Sequence, residues 1–71
     1  MSPTSYFLRV SKDADRQQVL KQLAGLGIVH DDLEHDHIMV IISYLAELKS
    51  FHELRRQWEA SGRVRVLDMG G

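Results

Sequence analysis

The chain has 71 residues, 44% of them hydrophobic and 27% charged, with a formal net charge of −1 and no cysteine. That length admits one small domain, 1–71, whose single core is only just sufficient, and the composition excludes a disordered chain. The near-neutral charge excludes a bulk pull toward nucleic acid or anionic membrane, and the missing cysteines exclude disulfides, thiolate nucleophiles and Cys-based zinc sites.

The stretch SYFLRV over 5–10 alternates, with Tyr6, Leu8 and Val10 on one face and Phe7 and Arg9 on the other, which predicts a strand. KDADRQQVLKQLAGLG over 12–27 predicts a helix. Its N-cap is Asp13 or Asp15, its apolar stripe is Val19, Leu20, Leu23 and Ala24, and its stop is Gly25 or Gly27. IVHDDLE over 28–34 predicts a second strand with Val29 and Leu33 inward. HIMVIIS over 37–43 predicts a third, central in a sheet because it is apolar on both faces. YLAELKSFHELRRQWEAS over 44–61 predicts a second helix with Leu48, Phe51, Leu54, Arg55 and Trp58 along one side, stopped by Gly62. Within it, SFHE over 50–53 matches a capping box and offers Ser50 as an alternative start. RVRVLD over 63–68 predicts a last alternating strand.

The order β-α-β-β-α-β predicts an α+β, ferredoxin-like split βαβ fold, a four-stranded antiparallel sheet in the order 4-1-3-2 with both helices on one face. Tyr6, Leu8, Val10, Val64 and Val66 then look toward the helices, joined by either Ile38, Val40 and Ile42 or by Met39 and Ile41. The other sheet face is left open.

The stretch VHDDLEHDH, 29–37, holds three of the four histidines and four acids, with no Lys or Arg. Two imidazoles and a carboxylate from His30, His35, His37 and their acidic neighbours suffice for a metal in principle. The spacing matches no established His/carboxylate signature, and a charged edge strand discourages pairing with other chains. The expectation is therefore a charged hairpin edge, with no metal and no cofactor. The serines and histidines form no nucleophile–base arrangement, so no catalytic residue and no enzyme are expected. The start MSPTSYFLRV lacks a secretory pattern, and the longest apolar run, IMVII, is too short to cross a bilayer. With the absence of cysteine, this gives a cytoplasmic expectation and no membrane insertion.

The succession YFLRV, VLKQLAGLGI, HIMVIIS, second helix and RVRVLD resembles ACT-type regulatory domains over nearly the whole chain. That resemblance implies a module that binds small ligands, often amino acids, and pairs through its sheets or helices to control an attached or partner protein. Where those domains carry a glycine in the turn after the first strand, this chain has SKDAD at 11–15, so a small ligand is left open here. The pattern Y-x-L-x-V-x-K from Tyr6 to Lys12 and V-x-V-x-D from Val64 to Asp68 is similar to subtilisin-propeptide-like inhibitors and intramolecular chaperones, which dock an open sheet on a protease. A third alternative, single-stranded RNA binding, is suggested by Phe7 and the arginines, but the third strand lacks paired aromatics, so nucleic acid is not the expected partner. The terminal Gly70 and Gly71 resemble the diglycine tail of ubiquitin-like modifiers, which open on a hairpin and not on a strand–helix unit.

The expectation is a non-catalytic regulatory or protein-interaction module, self-associating or docking a protein partner through its open face. The partner-binding residues are Phe7, Arg9, Met39, Ile41, Arg63, Arg65 and Leu67.

Overall fold

A computed structural model of the chain describes residues 2–32, 34 and 37–68. In chain order these form β1 (Thr4–Val10), α1 (Asp13–Leu23), β2 (Ile28–Asp32), β3 (His37–Ile42), α2 (Leu45–Ser61) and β4 (Val64–Asp68). The strands pair in the order β2-β3-β1-β4, and every pair is antiparallel. Both helices cover one side of that sheet, so the α+β, ferredoxin-like sandwich predicted from the alternation is the fold.

Period-two burial makes the covered side. Leu8, Ile38, Val40 and Ile42 are fully buried, with Tyr6, Val10 and Val64 nearly so, and Val66 and Val29 packed against them. This settles the phase of the doubly apolar β3: Ile38, Val40 and Ile42 point at the helices, and Met39 and Ile41 point away. From above, Val19 and Leu23 of α1 and Phe51 and Trp58 of α2 close the core. The rings of Tyr6 and Phe51 stack at 4.5 Å, and Trp58 meets Phe51 edge-on at 6.0 Å, so aromatic contact joins α2 to the central strand. Ala24, expected in the α1 stripe, is exposed past the helix end.

The helix termini differ from the sequence expectation. Lys12, in an extended conformation, is the N-cap of α1, and its carbonyl accepts the Arg16 N–H at 2.9 Å. Asp13 and Asp15 therefore sit inside the first turn, where their charge meets the positive end of the helix dipole and no capping bond is made. α2 starts at Leu45 without a side-chain cap. Ser50 donates to the Ala46 carbonyl at 3.3 Å inside the helix, so the SFHE box begins nothing. The helix stops at Gly62, whose φ of 71° is left-handed and free of cost only for glycine.

Two features hold β2, one of the two edge strands. Arg16 of α1 is buried, and its guanidinium donates to the Asp31 carboxylate and, at 3.5 Å, to the carbonyls of Asp32 and His37. Asp31 shares the inward phase with Val29, so the acidic stretch receives its cation from a helix fifteen residues upstream. Gly27, just before β2, lies so close to β3 that a Cβ there would sit 2.1 Å from the Ile41 carbonyl oxygen.

Candidate functional site

The side of the sheet away from the helices is built by the alternate residues of all four strands. Antiparallel register sorts them into three rows running across the sheet from β2 to β4. The first is Ile28, Ile41 and Ser5. The second is His30, Met39, Phe7 and Leu67. The third is Asp32, His37, Arg9 and Arg65. Position in the fold thus brings together six of the seven residues named from the sequence.

The exception is Arg63. It precedes β4, and its backbone N–H donates to the Ser61 Oγ at 3.3 Å in the turn that ends α2. That bond and the left-handed Gly62 hold Arg63 in the helix-capping turn, so the R-V-R alternation does not begin until Val64. Arg63 instead lines a cleft of about 370 Å³ between α1 and α2, together with Asp15, Gln18, Gln22, Gln57 and Trp58.

The face has apolar and charged parts. Phe7, Met39, Ile41 and Leu67 are half-buried by their neighbours, and Ile28 is 60% exposed, so the first two rows present a mostly apolar band that neither helix covers. The His37 ring meets Phe7 edge-on at 5.8 Å and closes the band toward the third row. In that row Arg9 and Arg65 are cross-strand partners, both exposed. Like charges directly opposite across a sheet are destabilising. Among the described residues neither arginine has a carboxylate in ion-pair range. At the opposite end of the row stands Asp32. The row thus runs from an acid on one edge of the sheet to two guanidiniums on the other.

The histidine-rich stretch separates into parts. His30, Asp32 and His37 share the open face, and Asp31 faces the helix side. Leu33, His35 and Asp36, together with Met69, Gly70 and Gly71, lie outside the described residues. Among the described residues no three His, Cys, Asp or Glu side chains gather to hold a metal ion, and no helix is long and apolar enough to cross a membrane. His52, the fourth histidine, packs edge-on against Tyr6 at 6.0 Å and Phe51 at 5.9 Å and belongs to the aromatic cluster.

Five residues of the rows are not among the partner-binding residues named from the sequence: His30, Asp32 and His37, read there only as a charged hairpin edge, and Ser5 and Ile28. Ser5 contributes a small side chain beside Ile41, and its place follows only from the register with β3. Ile28 reads in the sequence as the start of a strand with no face of its own, and the inward phase of Val29 is the signal that places it. No family model matches this chain, and no curated protein or solved structure matches it either.

Proposed function

We propose that this protein is a small, non-catalytic interaction module that docks another protein surface on its open sheet face. The observation that carries the reading is the row Met39–Phe7–Leu67, flanked by His30 on β2, with Ile41 beside it: a continuous apolar band on the uncovered side of the sheet. Covering such a band gains roughly 25 cal/mol for each Å² removed from water. The adjoining arginine pair supplies orientation, because guanidiniums select and align carboxylate-bearing partners. A regulatory role follows from this reading if the docked protein is one whose activity depends on the contact.

The test is site-specific photocrosslinking in the native host. A benzoylphenylalanine replacing Phe7, Met39 or Leu67 is expected to give discrete adducts with an identifiable protein or with the chain itself. The same group at Gln17 or Glu53, exposed on the helices, is expected to give none. Equal adducts from both sets of positions, or none from the sheet face, would remove the face as the docking surface.

A further inference from the structure

We infer that the partner seated on this face is a second copy of the chain, packed sheet to sheet about a two-fold axis that lies parallel to the strands between β3 and β1. The inference rests on the docking reading above and goes further by naming the occupant and its register.

The open face is complementary to itself. A half-turn about that axis lays β2 over the partner's β4 and β3 over the partner's β1, while each row stays on its own level. In the charged row, Asp32 then stands over the partner's Arg65, next to the partner's Arg9, and the same contact is made a second time by symmetry. One carboxylate thus answers the Arg9–Arg65 pair that a single copy leaves opposed. In the middle row Met39 lies over Phe7, and His30 lies over Leu67. In the first row the large Ile41 lies over the small Ser5, the size alternation that lets two layers interdigitate. Sheets stacked about 10 Å apart cross at about 30°, which offsets the corner pair by roughly 5 Å, within reach of an extended arginine.

The other arrangements fit less well. A two-fold axis across the strands would lay the charged row onto Ile28, Ile41 and Ser5, burying guanidiniums against aliphatic groups. Two-fold edge-to-edge addition, β2 on β2 or β4 on β4, is opposed by like charges, Asp31 and Asp32 on the one strand and Arg65 on the other. Area agrees as well. A standard interface covers about 800 Å² on each partner, about a sixth of the 4898 Å² surface of this chain, and the uncovered side of a two-layer sandwich presents a share of that order.

Sedimentation velocity of two single variants and their mixture tests the register. Wild type is expected to show a monomer–dimer equilibrium with a Kd of roughly 1–100 μM, the weak end of what an interface of standard size gives. Arg65→Glu alone sets two carboxylates against each other at each corner of the dimer, and Asp32→Arg alone sets two guanidiniums there. Each is expected to raise that Kd at least about tenfold. Mixed in equal amounts they are expected to recover the wild-type sedimentation coefficient, because in the heterodimer each corner again holds one carboxylate and one guanidinium. If circular dichroism shows that either variant is misfolded, dilution of the 15N-labelled wild type replaces the mixture. Amide shifts are then expected to move at Phe7, Met39, Ile41 and Leu67 and not at Gln17 or Glu53. A wild type that stays monomeric at millimolar concentration overturns the inference, as does a mixture no more associated than its components. So does tight binding of a single-stranded uridine decamer by the monomer, with loss in Arg65→Glu. A crosslink from position 7 to a different protein, with wild type monomeric, ends the second-copy inference and leaves the docking reading standing.

Discussion

The two sides of this sheet are made by the same four strands, yet they bear different energetic weight. On the helix side Leu8, Ile38, Val40 and Ile42 are fully buried under Val19, Leu23, Phe51 and Trp58. On the open side their immediate neighbours Phe7, Met39 and Ile41 are as hydrophobic and remain only half-buried. In HIMVII the apolar content of the two phases is nearly equal, so hydrophobicity does not tell inside from outside. What tells them apart is the topology that sends both crossover helices to one side. The covered side supplies stability, and the uncovered side keeps apolar area available for contact.

Three comparisons test that division, from the largest expected effect to the smallest. Phe51→Ala removes a fully buried ring stacked on Tyr6, and urea denaturation is expected to show a loss of about 3–5 kcal/mol. Phe7→Ala, one residue along from Tyr6 but on the other side, is expected to cost about 1 kcal/mol or less in the monomer. Equal losses would mean that both sides of the sheet carry the fold, and the distinction would collapse.

A second contrast lies between two glycines two residues apart. Gly27→Ala drives a methyl into the Ile41 carbonyl and forces β2 away from β3, with an expected loss of about 2–3 kcal/mol in thermal or chemical denaturation. At Gly25 a Cβ meets open space, so Gly25→Ala is expected to change stability by no more than about 0.5 kcal/mol. A mild Gly27→Ala would show that the edge strand is held loosely enough to shift.

The third concerns the charges of β2, which differ by face. Asp31→Asn leaves the buried Arg16 guanidinium without its carboxylate, and the expected loss is about 2 kcal/mol. That is below the full penalty for breaking a buried pair because the Asp31 side chain keeps 31% of its exposure. Asp32→Asn, on the open side, is expected to change chemical denaturation by less than about 1 kcal/mol and to act mainly on association. The reverse ranking would place the fold's essential carboxylate on the wrong face.

Much of this is legible in the sequence, because alternation in SYFLRV and RVRVLD and the glycine stop after Ser61 are local signals. The element order and sheet topology follow from them. The doubly apolar IMVII carries no phase information, and only the burial of its partners fixes it. Arg63 reaches the open face only if the alternation is extended one residue too far, into a turn held by Gly62 and Ser61. Arg16 lies outside the apolar stripe of its helix, and nothing within a turn of it announces Asp31. The rows of the candidate site depend on register between strands, a long-range property that no local pattern encodes.

The place of β1 in the sheet has a consequence for how the chain is made. β1 is the first strand to emerge during synthesis, yet it lies between β3 and β4, with Tyr6 paired to Asp68. One of its hydrogen-bonding edges must therefore stay vacant until β4 has been translated, however early β3 docks on the other. In that interval the nascent sheet exposes the unpaired edge of β1, from Tyr6 to Val10, in place of the β4 edge that finally covers it. The five-residue β4 thus acts as a closing seal, and a chain truncated just before Val64 would leave that edge of β1 unpaired.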